Sequence, residues 1–388
     1  MEIFNQADPI YLDYNATTPI DPRVAEAMIP FLREHFGNPS SSHILGQRTR
    51  AAVEKARAQA ADFLGADPEG IIFTSGGTEA NNHAIIGAAL AAQDRGMHIV
   101  TTAVEHPAVS EVCRHLESRG FSTTYVPVDE YCRVDPDRVA EAITDQTVLV
   151  SVMHANNEVG TLQPVAEIAA LARARGIMSH TDCAQSAGKV PVSLDDLGVD
   201  MISIASHKLY GPKGTGVLCL RSGVELPNLM FGAGHELGRR PGTENIMEIA
   251  GFGVACELAS ADLEEEGPHL AALRDRLQTG LLEAFPSSRV NGHPEGRLPN
   301  TLSISFPGLT TSKIIHHMPD VAVSAGAACH GDGAVTISHV LKAMGVPEKF
   351  ALGTIRISVG RMTSDEDVTK GLAAIVRGVG AAAAESHR

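Results

Sequence analysis

No apolar stretch in the 388 residues is long enough to span a bilayer, and the start Met1-Glu2-Ile3-Phe4-Asn5-Gln6 lacks the basic-then-apolar pattern of a secretion signal. The expected location is cytoplasmic, with no membrane partner. Positive charge is scarce: 31 Lys and Arg face 46 Asp and Glu, a formal net charge of −15. That balance argues against holding nucleic-acid phosphates by bulk charge and leaves room only for a local basic patch, so no direct nucleic-acid binding is expected. Cysteine is sparse and unpatterned. The six cysteines, Cys113, Cys132, Cys183, Cys219, Cys256 and Cys329, show no C-x-x-C spacing, which signals neither a zinc site nor a disulfide framework. The pairs His316-His317 and Cys329-His330 lack ligand spacing as well, so no metal is expected.

What is present is a long α/β pattern. From Ile71 to Leu220 short apolar runs alternate with amphipathic helical stretches, the pattern of a mostly parallel sheet covered by helices on both faces. Ile71–Phe73, His98–Val100, Val148–Val152, Ile177–His180 and Met201–Ile204 read as strands, each followed by a polar or Gly-rich turn. Such sheets bind ligands just beyond the carboxyl ends of their strands. A long helix from Glu248 into the acidic run at Asp262–Glu266 marks the change to a second unit. There a helix through Leu270–Leu282, strand-like runs at Thr301–Ser305 and Ile355–Ser358 and a closing helix over Asp365–Val376 read as a smaller α+β domain. Two domains suit this length.

The chemistry gathers at the turns. Ser206-His207-Lys208 lies downstream of Thr181-Asp182-Cys183-Ala184-Gln185. A lysine amine beyond a buried strand can bind a pyridoxal phosphate aldehyde, and a carboxylate beside a pyridine nitrogen keeps it protonated. Spacing alone equally fits a surface lysine and an unrelated strand-end aspartate. Thr74-Ser75-Gly76-Gly77-Thr78 follows a strand and opens a helix, so its amides and the Thr78 hydroxyl can face an anion; a simple tight turn is the alternative. His106, at a strand end, can stack on a flat ring and exchange protons, or be an ordinary structural histidine. Arg356 is charged within an apolar run and needs a carboxylate, from a substrate or from the protein itself. Cys329 sits in the Gly-punctuated stretch Ser324–Gly333, which suits a swinging thiol, and His330 beside it can help ionise it.

Four stretches carry a specific likeness: Tyr11–Pro19 (Tyr-Leu-Asp-Tyr-Asn-Ala-Thr-Thr-Pro), Thr74–Glu79, His154–Gly160 (His-Ala-Asn-Asn-Glu-Val-Gly), and His180 through Gly211-Pro212-Lys213-Gly214. On these the chain resembles, over nearly its whole length, the cysteine desulfurases and selenocysteine lyases of the class-V aminotransferases. The resemblance implies the pyridoxal phosphate transferase fold of type I, with a mostly parallel seven-stranded sheet in a large cofactor-binding domain (15–258). A small domain (1–14 and 259–388) would carry the catalytic cysteine loop. It implies Lys208, Cys329 and His106 as catalytic residues. Gly77, Thr78, His106, Asp182, Gln185, His207, Lys208 and, reaching the partner subunit's cofactor in a homodimer, Thr243 would hold the cofactor. Asn15, Asn157 and Arg356 would bind substrate. Asn156 is the less certain of the two neighbouring asparagines. One departure stands out: the family often has Ser where this chain has Ala205, so a phosphate contact is either missing there or supplied by Ser203 or Ser206.

The implied reaction converts L-cysteine to L-alanine, Lys208 moving the Cα proton and Cys329 taking the sulfur as a persulfide for an acceptor protein. L-selenocysteine is the alternative substrate; the Ala-Ala-Cys-His run, the Phe231–Glu236 stretch and Ala205 look closer to the lyase branch, though the loop does not settle preference. An ordinary class-V aminotransferase would keep Asp182, Lys208 and Arg356 without needing Cys329, and a silent scaffold would bind no cofactor.

Overall fold

The structure, a computed structural model, describes residues 8–329 and 335–386. His330 and the glycine-rich residues that follow it lie outside the described residues, as does the side chain of Cys329.

After β1 (Ile10–Tyr11) come seven strands that form one sheet: β2 (Ile71–Thr74), β3 (His98–Thr102), β4 (Ser122–Val126), β5 (Thr147–Ser151), β6 (Met178–Asp182), β7 (Met201–Ala205) and β8 (Gly216–Leu220). Their order is β2-β8-β7-β6-β5-β3-β4, and only β8 runs against its neighbours. Five of these were anticipated in the sequence. β4 was not, because its run Ser-Thr-Thr-Tyr-Val is polar and half-exposed at the sheet edge. Nor was β8, which turns back antiparallel on β7 and also pairs with distant β2.

Side-chain alternation splits this sheet into two apolar faces. Ile71, Phe73, Ile202, Ile204, Val217 and Cys219 pack with the helix Ile44–Leu64 and the first half of the helix Ile246–Ala284. Ile72, Met201, Leu218 and Leu220 face the helices Gly77–Ala91 and Pro107–Glu117. The five cysteines with described side chains are free and buried.

The helix Ile246–Ala284 is continuous, where the sequence suggested two. Pro268 lies inside it, but both Pro268 and Glu264, whose carbonyl loses its helical partner, are exposed, so water replaces the missing bond. Leu270, Leu273, Leu277 and Leu281 of its second half enter a separate core. That core is covered by β9 (Arg289–Asn291), β10 (Thr301–Ser305), β12 (Ser324–Ala325) and β15 (Thr354–Ser358), a four-stranded sheet in the order β12-β15-β10-β9. β11 (Val321–Ala322) pairs with β1, and β13 (Ala327–Cys329) forms a hairpin with β14 (Val335–Ile337). The closing helix runs Asp365–Ser386 and takes in the Ala-rich tail.

Candidate active site

A cleft of about 360 Å³ opens at the carboxyl ends of the parallel strands. Lys208 ends the turn Ser206–Lys208 directly after β7, and Asp182 is the last residue of the adjacent β6. Asn81 Nδ2 donates to Asp182 Oδ2 at 2.7 Å and the Ala184 amide to Oδ1 at 2.9 Å, so the carboxylate is fixed in place. Lys208 Nζ donates to the carbonyls of Asn15 (2.7 Å) and Ala16 (2.8 Å).

Burial, helped by Arg356, pushes the Lys208 amine from its ordinary 10.5 down to about 8, against the opposite pull of Asp182 and Asp13. The neutral amine is the form that attacks an aldehyde. Attachment of pyridoxal phosphate to the cofactor-free protein is therefore expected to rise about tenfold per pH unit below 8 and to level off above it. Stopped-flow absorbance measures this, and a rate still climbing toward pH 10 would place the amine at its ordinary value.

At one end of the cleft the helix Gly77–Ala91 begins. Its cap, Gly76, has φ of 148°, a conformation that favours glycine, and offers no side chain to occupy the first-turn amides. Gly77 lies so close to β7 that a Cβ there would stand 3.3 Å from the Ala205 methyl. These amides, exposed Thr78 and His207 line the same end of the cleft. His207 Nδ1 meets Thr17 Oγ1 at 3.1 Å, and burial, with Lys208, Lys213 and Lys189 nearby, takes its pKa down to about 4, which leaves the ring neutral. His106 caps its helix by accepting from the Ala108 amide at Nδ1 (3.1 Å); burial lowers its pKa, Asp182 opposing and Lys208 and His339 adding to the shift.

Gln185 lies deeper, its Nε2 donating to the Asn15 carbonyl at 3.0 Å. Asn15 is itself pinned, donating to Thr301 Oγ1 (2.8 Å) and accepting from Asn300 Nδ2 (3.0 Å). Asn157 lines the cleft, whereas Asn156 is wholly buried, holding the Val104 carbonyl and capping the amides of Glu158 and Val159. Arg356, from β15, reaches the cleft across the seam between the two sheets. It has a protein carboxylate already: Nη2 donates to Asp13 Oδ1 at 2.8 Å. Its buried Nε has no partner among the described residues.

Neither serine suggested for the contact at Ala205 is among the residues that line the cleft. Ser203 Oγ is bonded to His180 Nε2 at 2.9 Å within the sheet. Ser206 Oγ is buried without a partner and turned to Gly211, where an added Cβ would collide with it. Thr243, expected to reach a partner subunit's cofactor, lines a separate cleft of about 190 Å³ with Arg240 and Thr215. Arg240 reaches back to Glu79, beside Thr78, at 2.8 Å.

Some side chains at the site went unremarked in the sequence. Asn81 holds Asp182 from one helical turn inside the Gly77 helix. Lys189 is buried and, among the described residues, donates only to Gln185, through its carbonyl at 2.8 Å and Oε1 at 3.4 Å; burial brings its pKa to about 7. Glu105 is buried next to His106, accepts from Thr102 and the Met153 amide, and burial raises it to about 8.

The parts fit pyridoxal phosphate: a helix start whose free amides suit an anion, a carboxylate fixed by Asn81 and the Ala184 amide, a lysine amine lining the same cleft and a guanidinium with a buried, orphaned N–H. Residues 10–370 match the family profile described as "Aminotransferase class-V". The chain belongs to the class-V aminotransferase family. This class-V protein is 45% identical over 363 residues to "Cysteine desulfurase IscS" of Methanosarcina thermophila, covering 93% of this chain and 89% of that one. Among solved structures it is similar to a "NIFS-LIKE PROTEIN" (TM-score 0.89, 39% identity, 95% of this chain and 98% of that one). It is also similar to "SspA in complex with cysteine" (TM-score 0.79, 36% identity, 90% and 98%). Pyridoxal phosphate is the cofactor of this family.

Proposed function

We propose that this protein is a pyridoxal phosphate-dependent cysteine desulfurase that converts L-cysteine to L-alanine and leaves the sulfur as a persulfide on Cys329 for an acceptor protein. The observation that carries the reading is the convergence on one cleft of Lys208, clamped Asp182 and Arg356 with its unpaired Nε. When bound, the cofactor supplies an aldehyde for the substrate amine and a protonated ring that draws electrons from Cα. Lys208, once free, takes and returns the Cα proton. Arg356 and Asn157 would orient the substrate carboxylate, and His106 would help hold the cofactor ring. The Cβ–Sγ bond breaks as the Cys329 thiolate takes the sulfur. The sum, R–SH + enzyme–SH giving R–H + enzyme–S–SH, needs no outside oxidant.

Chain reach supports the cysteine's part. Ser324 pairs with Arg356 across β12 and β15, and Cys329 follows within a span of at most about 17 Å of extended chain. The Thr243 cleft supports a homodimer in which Thr243 completes the partner's site: nearby Phe231 is 91% exposed and Leu237 61%, an apolar surface that a second copy would cover. Free buried cysteines fit a cytoplasmic setting, and no described helix is long and apolar enough to cross a membrane.

Cys329→Ser is expected to abolish alanine formation from L-cysteine while the visible absorbance of bound cofactor is kept. L-selenocysteine, whose selenol ionises more readily, is assayed alongside. Loss on cysteine with activity on selenocysteine shows that both substrates are used; unchanged turnover of both would remove Cys329 from the chemistry.

A further inference from the structure

Arg356 does not wait for substrate in a free state. In the middle of β15 it is matched with Ser303 of β10 on one side and Ser324 of β12 on the other. Its Nη2 donates to Asp13 Oδ1 at 2.8 Å and to Ser324 Oγ at 2.6 Å. The Ser324 hydroxyl in turn donates to Asp13 Oδ2 at 2.9 Å, so each carboxylate oxygen takes one bond and the triangle closes. Nη1 donates to the Asn157 carbonyl at 3.0 Å. Asp13 is itself held by a bridge to Ser358, two residues along β15 from Arg356.

A guanidinium is planar and carries five N–H donors in fixed directions. With three of them committed to Asp13, Ser324 and Asn157, the plane cannot rotate, and Nε is left buried without a protein acceptor. Asp13 also offsets the charge of Arg356 in a cleft that already holds the amine of Lys208, which feels Asp13 as well. A free guanidinium there would be both mobile and a charge repelling that amine.

We propose that Asp13 and Ser324 are positioning residues that fix the Arg356 guanidinium in the plane required by a substrate carboxylate, and so make this site select amines that carry one. The inference rests on Arg356 as the carboxylate-binding residue. Removing Asp13 should disorder the guanidinium and weaken carboxylate-bearing ligands, while leaving ligands that lack the carboxylate untouched.

The test uses the cofactor-loaded protein and two ligands, L-alanine and cysteamine, the second having an amine but no carboxylate. Their dissociation constants are read from the change in visible absorbance, and KM and kcat for L-cysteine are measured alongside. Asp13→Ala is expected to raise the L-alanine Kd and the L-cysteine KM by about 10- to 100-fold, with cysteamine binding within about twofold of wild type. Ser324→Ala should do the same more weakly and Ser324→Thr, which keeps the hydroxyl, should restore it. Asp13→Asn, which keeps shape, covers the case in which Asp13→Ala does not load cofactor. Unchanged L-alanine binding in Asp13→Asn and Ser324→Ala overturns the proposal, as does equal weakening of both ligands, which would mark a merely structural brace. Arg356→Ala separates the two levels: if it leaves the ratio of the L-alanine Kd to the cysteamine Kd unchanged, Arg356 is not the carboxylate site; if it raises that ratio while the Asp13 and Ser324 variants do not, only the positioning role fails.

Discussion

Lys208→Ala is expected to lose covalent cofactor attachment and to lower alanine formation by at least about 10⁴-fold, with the melting temperature of the cofactor-free protein nearly unchanged. The size follows from two duties meeting in one amine, which anchors the cofactor and then moves the Cα proton. Its surroundings suit both. Among the described residues Nζ is held only by the backbone carbonyls of Asn15 and Ala16, bonds that are readily exchanged, and burial brings its pKa to about 8, so a usable share is neutral near pH 7.5. Lys208→Arg should fail as completely: a guanidinium keeps the charge but stays protonated and cannot bond to an aldehyde. Borohydride reduction followed by peptide mapping checks the anchor. A reduced adduct on another lysine, Lys189 being the nearest buried one, would remove Lys208 from its role.

Much of this cleft was readable because its residues lie in short runs just after strands, where apolar stretches give way to polar or glycine-rich turns. Asp182, Lys208, His106 and Gly77 all sit at such points, and the structure brings them together. What escaped notice depends on long-range packing. The match of Asp13 with Arg356 spans 343 residues and no local pattern announces it, although a carboxylate in the apolar Tyr11–Tyr14 run could have prompted a search for a buried cation. Lys189 looks like any turn lysine in the sequence until burial closes over it. The placement of the two serines beside Ala205 was hidden for a related reason. On a strand, successive side chains alternate faces, so Ser203, two residues from Ala205, shares its face but is bound to the neighbouring strand's His180, while Ser206 turns away. Fold class was legible in the alternation of apolar runs and helices, whereas the edge strand β4, half polar, and the unbroken helix through Pro268 depended on solvent exposure that the sequence does not display.

The strongest expected effect on stability lies away from the chemistry, at Arg57 and Glu236. Their side chains are 4% and 2% exposed and meet in a two-pronged pair, Nη1 to Oε2 at 2.9 Å and Nη2 to Oε1 at 3.0 Å. Arg57 also donates to the Ile71 carbonyl at 2.8 Å, and Glu236 accepts from the Phe73 amide at 2.9 Å. One ion pair thus joins the helix Ile44–Leu64, strand β2 and the segment leading to Thr243. Glu236 and Leu237 both have positive φ, 49° and 57°, a conformation that costs a non-glycine residue about 1–3 kcal/mol and persists only where the surroundings enforce it. Arg57→Met would leave the Glu236 carboxylate buried without its cation, a loss of about 3–5 kcal/mol. Glu236→Leu alone should cost less, because Arg57 retains Glu54 at 3.2 Å and the Ile71 carbonyl, and the freed segment can relax its backbone. Combining the two removes both charges, and the double variant is expected to regain most of the loss caused by Arg57→Met. Urea unfolding of the cofactor-free proteins, followed by far-ultraviolet circular dichroism, measures the cycle. If Arg57→Met shifts stability by less than about 1 kcal/mol, the surface range for an ion pair, the pair is not the anchor of this segment and its strained backbone must be held by other contacts.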